Sequence, residues 1–367
     1  MIAAVPAAGA APFSGSYEPQ DVTFLLKPVS LTPVDVGTKE RLIQSGRRHY
    51  SEMLSPEAVP GPEYLRLYEE ALARNAARLA QDVVSLAAAL AHRAESRPEL
   101  VIASLARAGT PIGVLLRRAL VRMDVPAHHY SLSIIRDRGI DMEALRHIAA
   151  RHDPRDVVFV DGWTGKGTIT RELQSSLAGR PLGFAPFLAV VADPAGCADL
   201  APSDEDYLIP SGLLNAIVSG LVSRSVLNAE LVGAHDFHAC VYYSHLAAQD
   251  LSRRFVDQLD HVMQGLTPRP ILADPTRTQR AAACEAMVGQ LMCELGLADR
   301  NRIKPGVAEA TRAVLRRVPD RLLIRDRDDP DVAHLVHLAQ ERGVAIHKLP
   351  GAHGYRAVAV IRTLGQD

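Results

Sequence analysis

The sequence predicts an α/β fold: an open, mainly parallel sheet flanked by helices, followed by a small C-terminal α/β domain. Three observations predict it. Apolar runs at 100–104, 129–135, 157–160 and 187–192 alternate with helical patterns, as βαβ units do. A long amphipathic helix precedes them. Residues 301–367 repeat the alternation on a smaller scale with their own charge balance, 12 Lys/Arg against 8 Asp/Glu in a chain of net charge -1. At 367 residues, two or three domains are expected. They divide as an irregular arm at 1–62, a main domain at 63–300 and the tail at 301–367.

The arm is rich in Pro, Gly and Ser, with one short helix expected near Lys39–Arg47. Tyr64, Tyr68, Leu72, Leu79, Val83, Leu86 and Leu90 recur at three- and four-residue spacing, giving a helix that ends before Pro98. Leu100–Ser104 is a strand, and Pro111 stands at the first position of a helix over Ile112–Met123. His129–Ile135 reads as strand, Met142–Arg151 as helix, Val157–Val160 as buried strand, Thr168–Ala178 as helix and Phe187–Ala192 as strand. Residues 212–229 and 243–263 read as mostly helical, and 276–297 as helix. In the tail, helix Gly306–Val318, strand Leu322–Arg325, helix Pro330–Arg342, strand Ala345–Leu349 and strand Ala357–Arg362 follow in order.

Composition narrows the function. With 47% hydrophobic and 23% charged residues the chain is globular, and a net charge of -1 carries no whole-chain polyanion-binding signature. Five lysines leave 36 arginines, a residue suited to phosphate recognition. The cysteines at 197, 240, 284 and 293 form no CxxC pair, and so few in this length fit a reducing cytoplasm. The first residues, MIAAVPAAGAAPF, lack a basic segment and read as a loose lead-in, and no apolar stretch of membrane-spanning length occurs.

The most informative segment is Val157–Thr168, VVFVDGWTGKGT. A buried strand ends in Asp161, and a Gly/Thr-rich loop then runs into a helix. Ligands of open α/β sheets bind outside the carboxyl ends of strands. A loop entering a helix N-terminus offers free amides and the positive end of the dipole, which suits phosphate. Gly165 and Gly167 let the backbone approach, Thr164 and Thr168 add hydroxyls, Lys166 adds charge, and Asp161 is placed to accept hydrogen bonds from sugar hydroxyls. Neither GxxxxGK[ST] nor GxGxxG is present. A second strand end, Ser104–Gly113, puts Arg107 in a turn where it can hold a diphosphate.

This pair of loops resembles the type I phosphoribosyltransferases. Their mark is an apolar strand ending in acids, a TGxGT-like loop for the 5-phosphate, and an earlier turn with Arg for the diphosphate. More narrowly, eight blocks are similar, in order, to the phosphoribosyltransferase-like family of bacterial tellurite-resistance and stress gene clusters, also labelled cysteine protease StiP. They are SGSY (14–17), DVTFLLKP (21–28), SGRRHYSEMLSPE (45–57), SLARAGTPIGVLLRR (104–118), HYSLSIIRDRGID (129–141), FVDGWTGKGTITREL (159–173), DEDYLIPSGLLNAIVSGLVSRS (204–225) and DFHAC (236–240). The resemblance implies a type I phosphoribosyltransferase-like sheet that takes phosphoribosyl diphosphate and a small-molecule, base-like acceptor, with magnesium. Thr164, Gly165, Lys166, Gly167 and Thr168 would hold the 5-phosphate and Asp161 the ribose. Ser104, Ala106, Arg107, Ala108 and Gly109 would hold the diphosphate. Arg136 and Arg138, in the Ser131–Asp141 segment, would close over it. Gly162 stands where such enzymes carry a second acid. Dimers are common in such folds, and a homodimer is the expectation by analogy.

The tail, with DRLLIRDRDDPDVAHLVHLAQERGVAIHKLPG (320–351) and YRAVAVIRT (355–363), is similar to the RNA-binding domain of pelota-type proteins, which implies RNA as a partner. Pro305, Glu309 and Arg312 before it read as helix capping and surface pairing. Asn215, Ser219 and Ser223 recur at four-residue spacing, as on one helix face that with Arg224 lines an acceptor pocket or faces solvent. His235, His238 and Cys240 lack a fourth ligand for a metal. Cys240 as a peptidase nucleophile, or a non-catalytic nucleotide- or RNA-sensing regulator, are the alternatives to a phosphoribosyltransferase.

Overall fold

The computed structural model describes residues 13–95, 97–351 and 354–364; the lead-in at 1–12 lies outside them. In the arm, β1 (Thr23–Leu25) and α1 (Val36–Gln44) precede the long helix α2 (Pro62–Arg93). The core runs β2 (Leu100–Leu105), α3 (Gly109–Arg122), β3 (Ala127–Leu132), α4 (Met142–Ala149), β4 (Val157–Trp163), α5 (Thr168–Ser176) and β5 (Leu188–Ala192). Helices α6 (Ser252–Met263) and α7 (Arg277–Glu294) lead to β6 (Ile303–Pro305), α8 (Val307–Arg316), β7 (Pro319–Ile324), α9 (Ala333–Glu341), β8 (Ala345–Lys348) and β9 (Ala357–Ile361).

The main sheet has five strands in the order β1-β3-β2-β4-β5, all parallel. Successive residues face opposite sides of a strand, and both sides here are apolar. Val101, Ala103, Val157, Phe159, Leu188 and Val190 pack on α4 and α5. Ile102, Val158, Val160, Ala189 and Val191 pack on the other side, with α2 and α3. The pairing of Ser104 with Val160 sets the carboxyl ends of β2 and β4 side by side. The tail forms a four-stranded sheet, β6-β9-β7-β8. Its Ile303, Leu323, Val358 and Val360 pack on Cys284, Met287, Val288 and Leu291 of α7. Among the described residues, no helix is long and apolar enough to cross a membrane.

Three elements differ from the sequence expectation. The strand expected over 129–135 stops at Leu132, and Ile134–Ile135 folds back on Gly139–Ile140 through Asp137 at a positive φ of 66°. Pro111 is the third residue of α3, which begins at Gly109. Residues 212–229 are not a helix: short 3₁₀ turns at Pro210–Gly212 and Ala216–Val218 are separated by irregular chain. Gly220 and Leu221 both have positive φ, and Gly220 bonds outside the segment, to Ser16 and Ser252. Asn215, Ser219 and Ser223 therefore share no helix face.

Gly109 is required by packing. A Cβ there would lie 2.4 Å from the carbonyl oxygen of Val160. Gly109→Ala is expected to cost about 1–3 kcal/mol through overpacking, read as a lower midpoint in thermal unfolding; an unchanged midpoint would show that α3 does not need this close approach.

Candidate active site

The loops that leave β2 and β4 line one cavity of about 310 Å³ at the carboxyl ends of the strands. Ala106, Arg107 and Ala108 come from the first loop, and Asp161 with Thr164–Thr168 from the second. Gly167, at φ 70°, turns the chain into α5 without a side-chain cap. Among the described residues, the amides of Gly165, Lys166, Gly167 and Thr168 meet no hydrogen-bond acceptor. These four donors at a helix N-terminus make a cradle for an anion.

Several side chains proposed from sequence are held elsewhere. The Thr164 hydroxyl donates to Asp193 at 2.6 Å, and Asp193 also accepts from the amides of Cys197 and Ala198. The Lys166 ammonium donates to the carbonyls of Arg300 and Ile303, at 2.5 and 2.6 Å. Burial, then Lys304 and Arg300 nearby, lowers its pKa to about 6. Both side chains therefore brace the loop, leaving its amides and Thr168 for a ligand. Ser104 is fully buried against His129, 2.7 Å away, and neither it nor Gly109 is on the cavity wall. Arg136 is on the wall and stacks on Tyr50, whereas Arg138 turns out to Glu52, 3.4 Å away.

Asp161 and Arg107 remain at the centre. Asp161 accepts from the amide of Gly162 at 2.8 Å. Burial pushes its carboxyl up to about 7, against the pull of Arg312. Arg107 donates to the carbonyl of Val222 at 2.8 Å and to Glu57 at 2.9 Å.

Of the other charged and aromatic groups on the wall, Arg224 alone is a candidate from sequence to line a pocket. Lys39 and Tyr50 come from the arm. Arg224 reaches the cavity from the irregular 212–229 segment and donates to the carbonyls of Tyr50 and Met53. Lys304, Glu309, Arg312, Arg316 and Arg317 come from the tail. Glu309 and Arg312 are 3.6 Å apart, but they pair on the cavity wall and not on an outer surface. Arg312 also stacks on Trp163 at 4.5 Å. In all, seven Lys and Arg side chains other than Lys39 and Lys166, whose pKa values burial lowers to about 6, line the cavity with two carboxylates, Asp161 and Glu309. The spacing Glu309, Arg312, Arg316 was the available sign, since i, i+3 and i+7 share one helix face.

Residues 15–260 match the family described as tellurite-like stress resistance cysteine protease StiP. A cysteine protease StiP of Acinetobacter baylyi is 43% identical over 96% of this chain and 95% of its own length. The chain belongs to the StiP family. In addition, residues 282–363 of this StiP-family chain match the PELOTA RNA binding domain. Among solved structures, a hypoxanthine phosphoribosyltransferase of Trypanosoma cruzi is similar over 35% of this chain and 80% of its own, at 17% identity and a TM-score of 0.28. The same enzyme in complex with IMP is similar over 34% and 70%, at 17% identity and a TM-score of 0.27.

The cysteines of this StiP-family chain sit as follows. Cys240 is fully buried on a two-residue ladder with Lys27–Pro28, and burial pushes its thiol up to about 12. His238 bonds to Ser133 at 2.8 Å, and His235 is exposed. Cys197, 3.3 Å from the Thr170 hydroxyl, is likewise pushed up to about 12. Cys284 contacts the Tyr355 hydroxyl at 2.9 Å, and Cys293 is exposed. Among the described residues, no cysteine sulfur is hydrogen-bonded to a histidine. One set with metal-ligand chemistry lies at the opposite ends of the strands: Glu99, His128 and His152, with ligand atoms within 4.8 Å of one another. Both nitrogens of His152 are already engaged, by Glu99 and Tyr130.

Proposed function

We propose that this StiP-family chain is a phosphoribosyltransferase-type enzyme, taking 5-phosphoribosyl-1-diphosphate and a base-like acceptor and making a nucleoside-like metabolite in a stress response. The observation that carries this is the convergence of an acceptor-free amide loop, Asp161 and an excess of cations on one cavity. The amides of 165–168 and the Thr168 hydroxyl hold the 5-phosphate. Asp161 accepts from ribose hydroxyls, and Arg107 binds the diphosphate. The acceptor forms a bond to C1 of the ribose as the C1–O bond to diphosphate breaks. Diphosphate leaves with the bonding pair, and the acceptor gives up its proton to solvent. Catalysis is positioning plus stabilisation of a developing oxocarbenium ion and a departing polyanion. Arg136 closes the arm side of the cavity.

Magnesium characteristically binds one or two carboxylates together with substrate oxygens. Asp161 and Glu309, the two carboxylates on the wall, fit that chemistry and would hold it; bound there, it would neutralise diphosphate charge. RNA is proposed as a partner of the tail, on the likeness to the PELOTA RNA binding domain, and the cytoplasm as the setting.

Calorimetry with phosphoribosyl diphosphate, with and without magnesium, and a diphosphate-release assay over a panel of bases test the proposal. Binding with release for at least one base is expected. Absence of binding by both phosphoribosyl diphosphate and ribose 5-phosphate would overturn it, and binding without turnover would make the chain a sensor. The family's name favours a second reading, a cysteine peptidase acting through Cys240. A peptidase activity lost in Cys240→Ala would carry it, and full activity in that variant would remove it.

A further inference from the structure

Helix α8 brings more positive charge into the cavity than its own Glu309, 3.6 Å from Arg312, can balance. Arg316 has no carboxylate partner there, and its Nε and Nη2 are buried without a hydrogen bond. The Nε of Arg312 is in the same state. The groups facing Arg316 are mostly of like sign: Arg107, Arg312 and Arg224, with Glu57 as the facing acid. Glu57 is already engaged by Arg107 and by the amide of Ala216. Burial and these neighbours press Arg316 well below its ordinary range. Folded proteins pair buried charges or leave them to a ligand. Arginine's planar fork is suited to the oxygens of phosphate. Arg107, Arg224 and Arg316 also border an adjoining cavity of about 470 Å³, so the cluster stands between two open volumes.

We propose that Arg312 and Arg316 of the C-terminal module, together with Arg107 and Arg224 of the core, form a subsite for a diphosphate-class anion, so that the module completes the small-molecule site. This deepens the phosphoribosyltransferase proposal and rests on it for the identity of the whole substrate. The anion subsite itself requires only the incompletely bonded guanidinium groups of Arg312 and Arg316. The face of α8 that carries Arg312 and Arg316 is then turned to the cavity and is not a surface for RNA.

The full chain is titrated calorimetrically with inorganic diphosphate and, separately, with ribose 5-phosphate. Arg316→Ala is expected to weaken diphosphate at least tenfold and to leave ribose 5-phosphate within about twofold. Without ligand, the variant is expected to melt no lower than the wild type, because a half-buried cation with no carboxylate partner has been removed. Diphosphate should raise the midpoint of the wild type and not that of the variant. Arg316→Lys, which keeps the charge but loses the fork, should fall between the two in affinity. Unchanged diphosphate affinity in Arg316→Ala overturns the subsite. So does a loss of affinity for a short single-stranded RNA with diphosphate binding intact, which would give this face to RNA. If Arg316-dependent diphosphate binding is found but no base supports turnover, the subsite stands and phosphoribosyl transfer falls.

Discussion

Asp161→Asn is expected to lower diphosphate release from phosphoribosyl diphosphate by roughly 10²–10³-fold, the cost of removing one preorganised electrostatic contact from a reaction centre, and at the same time to stabilise the fold at pH 8. The two effects share one cause. The Asp161 carboxyl is half-buried on the cavity wall, where desolvation penalises its ionised form and raises its pKa to about 7 from an ordinary value of 3.8. A carboxyl raised in the folded state contributes stability that is complete below the unfolded value and lost as pH climbs through the folded one. Asn carries no such penalty. The stability advantage of Asp161→Asn should therefore be largest above about pH 7 and disappear towards pH 4. If ribose binding needs the ionised carboxylate, wild-type activity rises through pH 7, and Arg312→Gln, which removes the cation pulling this pKa down, shifts that limb to higher pH. A diphosphate-release assay and thermal unfolding across pH 4–8 check both halves. Wild-type turnover in Asp161→Asn would end the assignment of Asp161. A variant both inactive and less stable at pH 8 would mean that its inactivity is a folding defect.

The β4 strand and its loop were legible because one local pattern carried both. A buried strand needs an apolar run, and a tight turn into a helix needs glycine, so strand, acid and Gly-rich turn stand together in twelve consecutive residues. Gly162 was legible as a missing acid. Its reason lies in the strand's alternation, which turns position 162 away from the cavity; a Cβ there would meet the carbonyl of Ala108 at 3.5 Å. What the side chains do was less legible. Thr164 and Lys166 look like ligand contacts in a phosphate loop, but they are spent on Asp193 and on the carbonyls of Arg300 and Ile303, far away in sequence. The 212–229 segment has helical spacing, yet the backbone amides of Gly220, Ser223 and Val226 pair with Ser252, Val241 and Ala239 outside it, which overrides periodicity. The tail's part in the site was hidden because a helix face rich in Arg normally means solvent. Only the docking of α8 over the β4 loop decides otherwise, with Glu309 so close that a Cβ on Gly165 would lie 2.9 Å from its side chain.

One buried carboxylate contributes strongly to that docking, and removing it should loosen the hold of the C-terminal module on the core. Asp206, from the core, accepts the amide of Val307 at 2.9 and 3.1 Å and the amide of Arg356 at 2.8 Å. It thus caps the start of α8 and the approach to β9 at once. Gly306, with φ 97°, is needed there, since a Cβ would lie 3.3 Å from the Asp206 carboxylate. Asp206→Ala leaves one buried amide and one half-buried amide without an acceptor. At about 1–3 kcal/mol for each orphaned donor, the expected loss is roughly 2–6 kcal/mol. Asp206→Asn keeps one oxygen and should lose less, the more so because burial raises the Asp206 pKa to about 6 and makes its charge costly near neutral pH. Other ties across the same boundary persist, such as Asn75 to Asp331 at 3.0 Å and Tyr355 to the carbonyl of Gly165 at 2.6 Å. The module is therefore expected to loosen and not to detach. In scanning calorimetry this should appear as an early transition split from the main one, because a weakened interface ends two-state unfolding. Diphosphate affinity should fall with it, since α8 carries Arg312 and Arg316. A single transition at the wild-type midpoint in Asp206→Ala would mean that the module is held in place without this cap.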